Sequence, residues 1–312
     1  MSVPDLPRRQ TLSFLTRRFR EAGIQPRTQL GQNFLIDLNL VRLLAESAEL
    51  SPRDVVLEIG TGTGSLTTLV APQVAAVVTV EVDPHLFRLA AEEIHGLSNV
   101  RMLNIDALAG KHRFHPEVLR AVEEALAVDA GRRFKLVANL PYNVATPIVT
   151  NLLALDAPPR SMTVTIQKEL ADRIAARPAT KDYGALSVWV QSQCRVRWVR
   201  TMAPSVFWPR PKVSSAIVHL ALDEQLRGRI GDRAFFHDFL RNLFLHRRKF
   251  LRSQLLATAR LLVPVAQRDA VDKVIVDQVL ASTGLRGEQR AEELDVDALI
   301  ALAQALRTHI AR

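Results

Sequence analysis

The sequence predicts an α/β protein, a doubly wound parallel sheet with helices on both faces, followed by a small all-helical C-terminal domain. Three observations carry that prediction. Between residues 54 and 176, short buried-strand runs alternate with amphipathic segments; after Tyr183-Gly184 the rhythm breaks; and from about Asp232 every segment has helical period. A chain of 312 residues holds one large and one small domain. The expected division is a basic N-terminal extension over 1–28, a sheet domain over 29–224 and a helical domain over 225–312.

The elements follow in order. LSFLTRRFREAGI in the extension is basic and amphipathic, and Pro26 follows it. Asp37 suits a helix start, and LNLVRLLAESAEL continues at helical spacing to Ser51-Pro52. DVVLEIG (54–60) is a buried-strand run, with a helix from Ser65 to about Val70; AAVVTVEV (75–82) is the next strand, with a helix from Pro84 through Ile94. NVRMLNID (99–106) is the third strand, and residues 107–133 read as an insertion carrying its own helix, EVLRAVEEALAV. FKLVANL (134–140) and SMTVTIQ (161–167) are the fourth and fifth strands, with helices near 146–155 and 168–176. ALSVWVQSQCRVRWV and SSAIVHLAL look strand-like, separated by APSVFWPRPKVS, whose prolines argue against helix or ladder. Helical period then covers 234–259, 269–282 and 295–310.

Charge narrows the partner. The net charge is +9, and arginine supplies 34 of the 41 cations. Residues 1–36 carry six arginines against Asp5 and Glu21, and residues 195–252 carry thirteen cations against Asp223, Glu224, Asp232 and Asp238. The surplus therefore lies in two stretches on a slightly acidic body, the distribution that contact with a phosphate backbone needs. Within the second stretch Arg247, Arg248, Lys249 and Arg252 are the expected RNA-binding cluster, a solvated helix face being the alternative. The longest apolar run, Leu69 to Val80, is broken by Pro72 and Gln73, so no membrane span is expected. No leader pattern follows MSVPDLPRRQ, which points to a cytoplasmic protein. Cys194 is the sole cysteine and the His112/His115 pair lacks further ligands nearby, so no metal site is expected.

Four strand ends carry the chemistry. Glu58-Ile-Gly60-Thr-Gly62-Thr-Gly64 closes the first strand with a turn that lets a ligand approach the backbone. Ser65 stands where a dinucleotide fingerprint has its third glycine, which disfavours nicotinamide and flavin. Glu81, 23 residues after Glu58, ends the second strand and can accept two ribose hydroxyls; Asp106 ends the third and can accept from an adenine amine. Together they read as an S-adenosylmethionine pocket. At the fourth strand end, Asn139-Leu140-Pro141-Tyr142 suits a flat base bearing an amino group. The Asn139 oxygen and Leu140 carbonyl can accept the two amine hydrogens, while Tyr142 stacks on the ring.

With these residues assembled, the sequence resembles the ribosomal RNA adenine dimethyltransferase family from about Gln29 to at least Leu222. The resemblance rests on Gly31-Gln-Asn33-Phe34-Leu35, on Glu58 through Thr67, on Asn139-Leu-Pro141-Tyr142-Asn143, and on Phe207-Trp-Pro209-Arg-Pro211-Lys-Val213-Ser-Ser215. Gln167-Lys168-Glu169 and Arg290 through Leu294 add to it. It implies a Rossmann-like S-adenosylmethionine-dependent methyltransferase sheet in which Asn33 and Leu35 close over the cofactor. Gly60 would lie against it, Glu81 would hold its ribose and Asp106 its adenine, and Asn139 would touch both cofactor and base. Phe207 either completes an aromatic sandwich with Tyr142 or anchors its loop in the core.

The chain is most similar to the family's bacterial small-subunit branch. That implies dimethylation of two adjacent adenosines near the 3′ end of 16S rRNA and a role in subunit biogenesis; a monomer is the separate expectation. Members acting on 23S rRNA usually have isoleucine where Leu140 stands, and DNA amino-methyltransferases usually have proline there. Intact Gly60, Glu81, Asp106, Asn139 and Tyr142 argue against a binding-only protein. Thr61 replaces the family's frequent proline, and the 107–133 segment looks longer than usual.

Overall fold

The computed structural model describes residues 12–27, 30–110 and 113–310. Part of the N-terminal extension, including Arg8 and Arg9, and His112 of the histidine pair lie outside the described residues.

The described chain begins with α1 (Leu12–Glu21), which buries Leu15 and Phe19, and a two-residue strand, β1 (Phe34–Leu35). Asp37 caps α2 (Leu38–Glu46) by accepting from the Asn39 N–H, one of the amides that the first helical turn leaves free. Strand and helix then alternate as β2 (Asp54–Ile59), α3 (Ser65–Val70), β3 (Ala76–Val80), α4 (Pro84–Glu93), β4 (Val100–Leu103), α5 (Pro116–Ala127), β5 (Arg133–Asn139), α6 (Ala145–Ala154), β6 (Ser161–Gln167) and α7 (Lys168–Ala175). Pro84 occupies the first turn of α4, where a missing N–H costs nothing, and Asp83 caps it.

β2 pairs in parallel with β3 and β5, β3 with β4, and β5 with β6. Every residue of β2 is buried, as required of a strand covered on both faces. Val56 joins Val41 and Leu44 of α2 and Leu66 and Val70 of α3 in one apolar cluster. Its neighbours Val55 and Leu57 alternate to the other side, and α5 packs against β2, β3 and β5.

Beyond α7 the structure departs from the expected strand over 185–199. Residues Ala185–Gln191 form a helix, α8, and the strand β7 (Cys194–Met202) begins only after it. The run misleads because Leu186, Val188, Trp189 and Val190 are all buried, so no polar face marks the helical period. Gln191 ends the helix by donating to the carbonyls of Ile174 and Ala176. The Pro-rich loop also differs from expectation. Its centre, β8 (Phe207–Trp208), pairs antiparallel with β1. β9 (Ser215–Leu222) then pairs antiparallel with β6, from Ser161↔Ala221 to Gln167↔Ser215, completing a seven-stranded sheet in the order β4-β3-β2-β5-β6-β9-β7.

The rest is helical: α9 (Glu224–Gly228), α10 (Arg233–Leu243), α11 (Leu251–Leu262), α12 (Lys273–Thr283) and α13 (Val296–Ile310). The single helical stretch expected over 234–259 is broken at residues 244–250. By contact, the described residues form two compact units. One runs up to Ala171 and includes Arg197–Ala221; the other comprises Asp172–Val196 and the residues from Leu222 on. In the second, Trp189 of α8 lies against Phe236 and His237 of α10, and α10 through α13 pack successively around Phe239, Leu255, Val279 and Leu302. No helix among the described residues is long and apolar enough to cross a membrane.

Candidate active site

The carboxyl ends of β2, β3 and β5 and the loop after β4 border one cleft, which encloses about 1150 Å³ of non-protein space including its open mouth. Asn33, Leu35, Gly60, Glu81, Asp106, Asn139, Leu140 and Pro141 all line it. Residues up to 108 positions apart in sequence thus meet, Gly60, Glu81, Asp106 and Asn139 because parallel strands deliver their ends to one edge, and Asn33 and Leu35 from the β1 segment.

The turn after β2 hangs from β3, with the Gly60 and Thr61 N–H groups both donating to the Val80 carbonyl. Gly60 has φ +85°, and a Cβ there would sit 3.4 Å from the Pro141 ring. Gly64, at φ +81°, opens α3 in a backbone conformation that favours glycine, and a Cβ there would sit 3.2 Å from the Ile94 side chain. Thr61 is buried and its hydroxyl meets that of Thr79 at 2.6 Å.

Glu81 is only 4 % exposed. Its two carboxylate oxygens accept from the Gly62 N–H at 2.9 Å and the Asp83 N–H at 3.0 Å, while burial raises its pKa above the usual carboxylate range. Each oxygen keeps a lone pair beyond these bonds. β4 ends at Leu103, short of the expected strand end, and Asp106 is set in the following loop by accepting from the Leu108 N–H.

Asn139 is the last residue of β5. Its amide nitrogen donates to the Asn33 carbonyl at 3.0 Å, and Asn33 is held in turn by donating to the Gly31 carbonyl. That fixes the amide with Oδ1 on the other side, and this oxygen is buried with no hydrogen-bond partner. An orphaned buried acceptor in a ligand-sized cleft calls for a donor from outside the protein. Leu140 donates its N–H to the Thr165 carbonyl. Tyr142 is half-buried and its hydroxyl hydrogen-bonds Ser215, but it is not among the residues that line the cleft. Nor is Phe207, which is 2 % exposed and packed with Leu35, Val41 and Leu44. Of the two readings of Phe207, the structure shows the core anchor; β8 pairing with β1 turns its ring inward.

The basic run divides. Arg247 donates to the carbonyls of Lys181 and Tyr183 and pairs with Glu292 at 3.3 Å, and Arg252 makes a two-pronged bridge to Asp277. Both cations are thus engaged within the fold. Arg248 and Lys249 are exposed, with no acidic partner among the described residues. All but Arg252 sit in the turn between α10 and α11 rather than on a helix.

Sequence reasoning missed a buried carboxyl network. Glu58 is 2 % exposed, accepts from the hydroxyls of Thr67 and Thr79, and is pushed up to about 7 by burial. An acid inside a buried strand with threonines nine and 21 positions on was the available signal. Also missed was how the segment before Asn33 is tethered. Arg27 pairs with Asp83 at 3.6 Å, and Phe19, Phe34 and Trp208 form an aromatic cluster.

Known proteins resemble this chain in sequence and in fold. The sequence model of the family described as ribosomal RNA adenine dimethylase matches residues 23–296. A ribosomal RNA small subunit methyltransferase A from Geobacillus sp. (strain WCH70) is 36% identical over 286 residues, covering 91% of this chain and 93% of the relative. Its counterpart from Bacillus mycoides (strain KBAB4) is 35% identical over 287 residues, covering 92% and 93%. Among solved structures, a dimethyladenosine transferase from Plasmodium falciparum superposes with a TM-score of 0.69 at 23% identity, covering 88% of this chain and 97% of that one.

Proposed function

The chain belongs to the ribosomal RNA adenine dimethylase family, and on that premise we propose that it dimethylates two adjacent adenosines near the 3′ end of 16S rRNA in the small ribosomal subunit. It is an rRNA adenine dimethyltransferase that uses S-adenosylmethionine. Its similarity to proteins named for the small subunit supports that substrate over the large subunit. The protein acts as a cytoplasmic monomer in subunit biogenesis.

The residues of the cleft fit the cofactor. Glu81 offers its remaining lone pairs to the ribose hydroxyls, and Asp106, with Oδ1 engaged by Leu108, offers Oδ2 to the adenine amine. The turn at Gly60 exposes backbone without side chains, and Asn33 and Leu35 cover the other side. When bound, S-adenosylmethionine supplies an activated methyl group on a sulfonium, so the protein's task is mainly to place the nucleophile in line.

The adenine amine is a poor nucleophile because its lone pair is delocalised into the ring. The orphaned Oδ1 of Asn139 carries the reading: with the Leu140 carbonyl it accepts the amine hydrogens and holds the nitrogen pyramidal. Tyr142, its hydroxyl fixed by Ser215, offers a ring face to the flipped base. The proton displaced by the methyl leaves to water. After one transfer the nitrogen has a single hydrogen, so one acceptor must serve the second round.

Asn139→Ala tests this directly. Turnover on unmethylated small subunits should fall by at least two orders of magnitude, while subunit affinity, carried by the basic surfaces, should hold within about threefold. Equal losses in both would show that the reacting site lies elsewhere.

A further inference from the structure

The turn between α10 and α11 keeps two large apolar side chains in water, Leu245 at 62 % exposure and Phe250 at 58 %. The turn is nonetheless well tethered. Phe244 packs edge-on against Tyr183, Arg247 is fastened to the Lys181 and Tyr183 carbonyls and to Glu292, and the Lys249 N–H donates to the His246 carbonyl. On the far side the Leu251 N–H donates to the Gln289 carbonyl at 2.7 Å, and Phe250 faces Arg290 across an isolated β-bridge. Anchored at both ends, the turn presents Leu245, Arg248, Lys249 and Phe250 to solvent.

This composition selects a partner. An apolar socket on another protein would gain from the ring but would have to meet two uncompensated cations beside it. A folded RNA offers both halves of the match, phosphates for Arg248 and Lys249 and the flat face of an unpaired base for the ring. Resting on the rRNA reading above, we infer that Phe250 is a base-stacking contact to the RNA substrate, positioned by the pinned turn and flanked by Arg248 and Lys249 on the phosphates.

Stacking and phosphate contact respond differently to salt, which makes the inference testable on the full-length protein. Binding of unmethylated small subunits is measured from low to moderate KCl for wild type, Phe250→Ala, Phe250→Trp, Phe250→Leu and the Arg248→Gln/Lys249→Gln pair. Phe250→Ala should weaken binding roughly tenfold at every salt concentration without changing the log–log slope, because no counterion is released by a ring. Phe250→Trp should restore wild-type affinity and Phe250→Leu should not. Wild-type affinity in Phe250→Ala, with a shallower slope in the double variant, would overturn the stacking contact and leave the RNA surface standing. Full rescue by Phe250→Leu would place the side chain against an apolar protein surface of the subunit, and would equally overturn it. If neither Phe250→Ala nor the double variant changes binding, this turn does not touch RNA at all.

Discussion

Replacing Glu81 by alanine removes a carboxylate that has two jobs. Toward the cofactor it would accept two ribose hydroxyls, and hydrogen bonds to a charged acceptor contribute about 1.5–3 kcal/mol each. Losing both amounts to roughly 3–6 kcal/mol, a weakening of S-adenosylmethionine binding by about 10²–10⁴-fold. The position of Glu81 at a strand end facing a pocket suggests that folding should be indifferent to the change, but the structure contradicts this. The carboxylate also holds the Gly62 and Asp83 N–H groups, and stranding a buried donor costs about 1–3 kcal/mol. Part of that is offset, because burial already disfavours the charged carboxyl. A fall of several degrees in Tm is therefore expected alongside the binding defect. Glu81→Gln separates the two effects, since it keeps one acceptor oxygen and the side chain's volume. Titration calorimetry below the lowered Tm reads the binding loss. Undiminished affinity in Glu81→Ala would refute the ribose assignment.

Three further outcomes are expected. Glu58 holds its proton more tightly in the folded chain than in the unfolded one, so its contribution to stability is full below about pH 4.5 and is lost as pH rises through about 7, a span worth on the order of 3 kcal/mol. Glu58→Gln stays neutral, so its Tm relative to wild type should climb between pH 5 and pH 8, and a constant difference would contradict the buried carboxyl. Neutralising Arg248 and Lys249 should lower the salt slope of subunit binding by about 1.4–1.8, and adding Arg247 and Arg252 should lower it little further. Arg247→Gln should instead lower Tm, since it cuts the pinned turn loose from Lys181, Tyr183 and Glu292.

The sequence reveals the sheet and its ligand edge well, because parallel strands advertise themselves as apolar runs and their ends carry the glycines and acids. Gly60, Glu81, Asp106 and Asn139 meet in one cleft for that reason, and the segment before β1 brings Asn33 to them. Besides the Glu58 network and the Arg27 tether, three features stayed hidden, each for a physical cause. α8 is buried around most of its circumference, so it lacks the polar stripe that separates helix from strand. Phe207 sits in a loop that pairs with β1 across more than 170 residues, a contact that no local pattern encodes. Arg247 and Arg252 look equivalent to Arg248 and Lys249 in sequence, yet their partners, Glu292 and Asp277, arrive from elsewhere in the chain. Which cation is free is a property of the tertiary structure.

The most direct test of the account is to incubate the protein with isotopically labelled S-adenosylmethionine and either unmethylated small subunits or large subunits, then map the modified nucleotides by mass spectrometry. The account predicts dimethyladenosine at two adjacent positions near the 3′ end of 16S rRNA, four methyl groups per subunit, and none on the large subunit. Label on 23S rRNA, or a single modified adenosine in the small subunit, would contradict it.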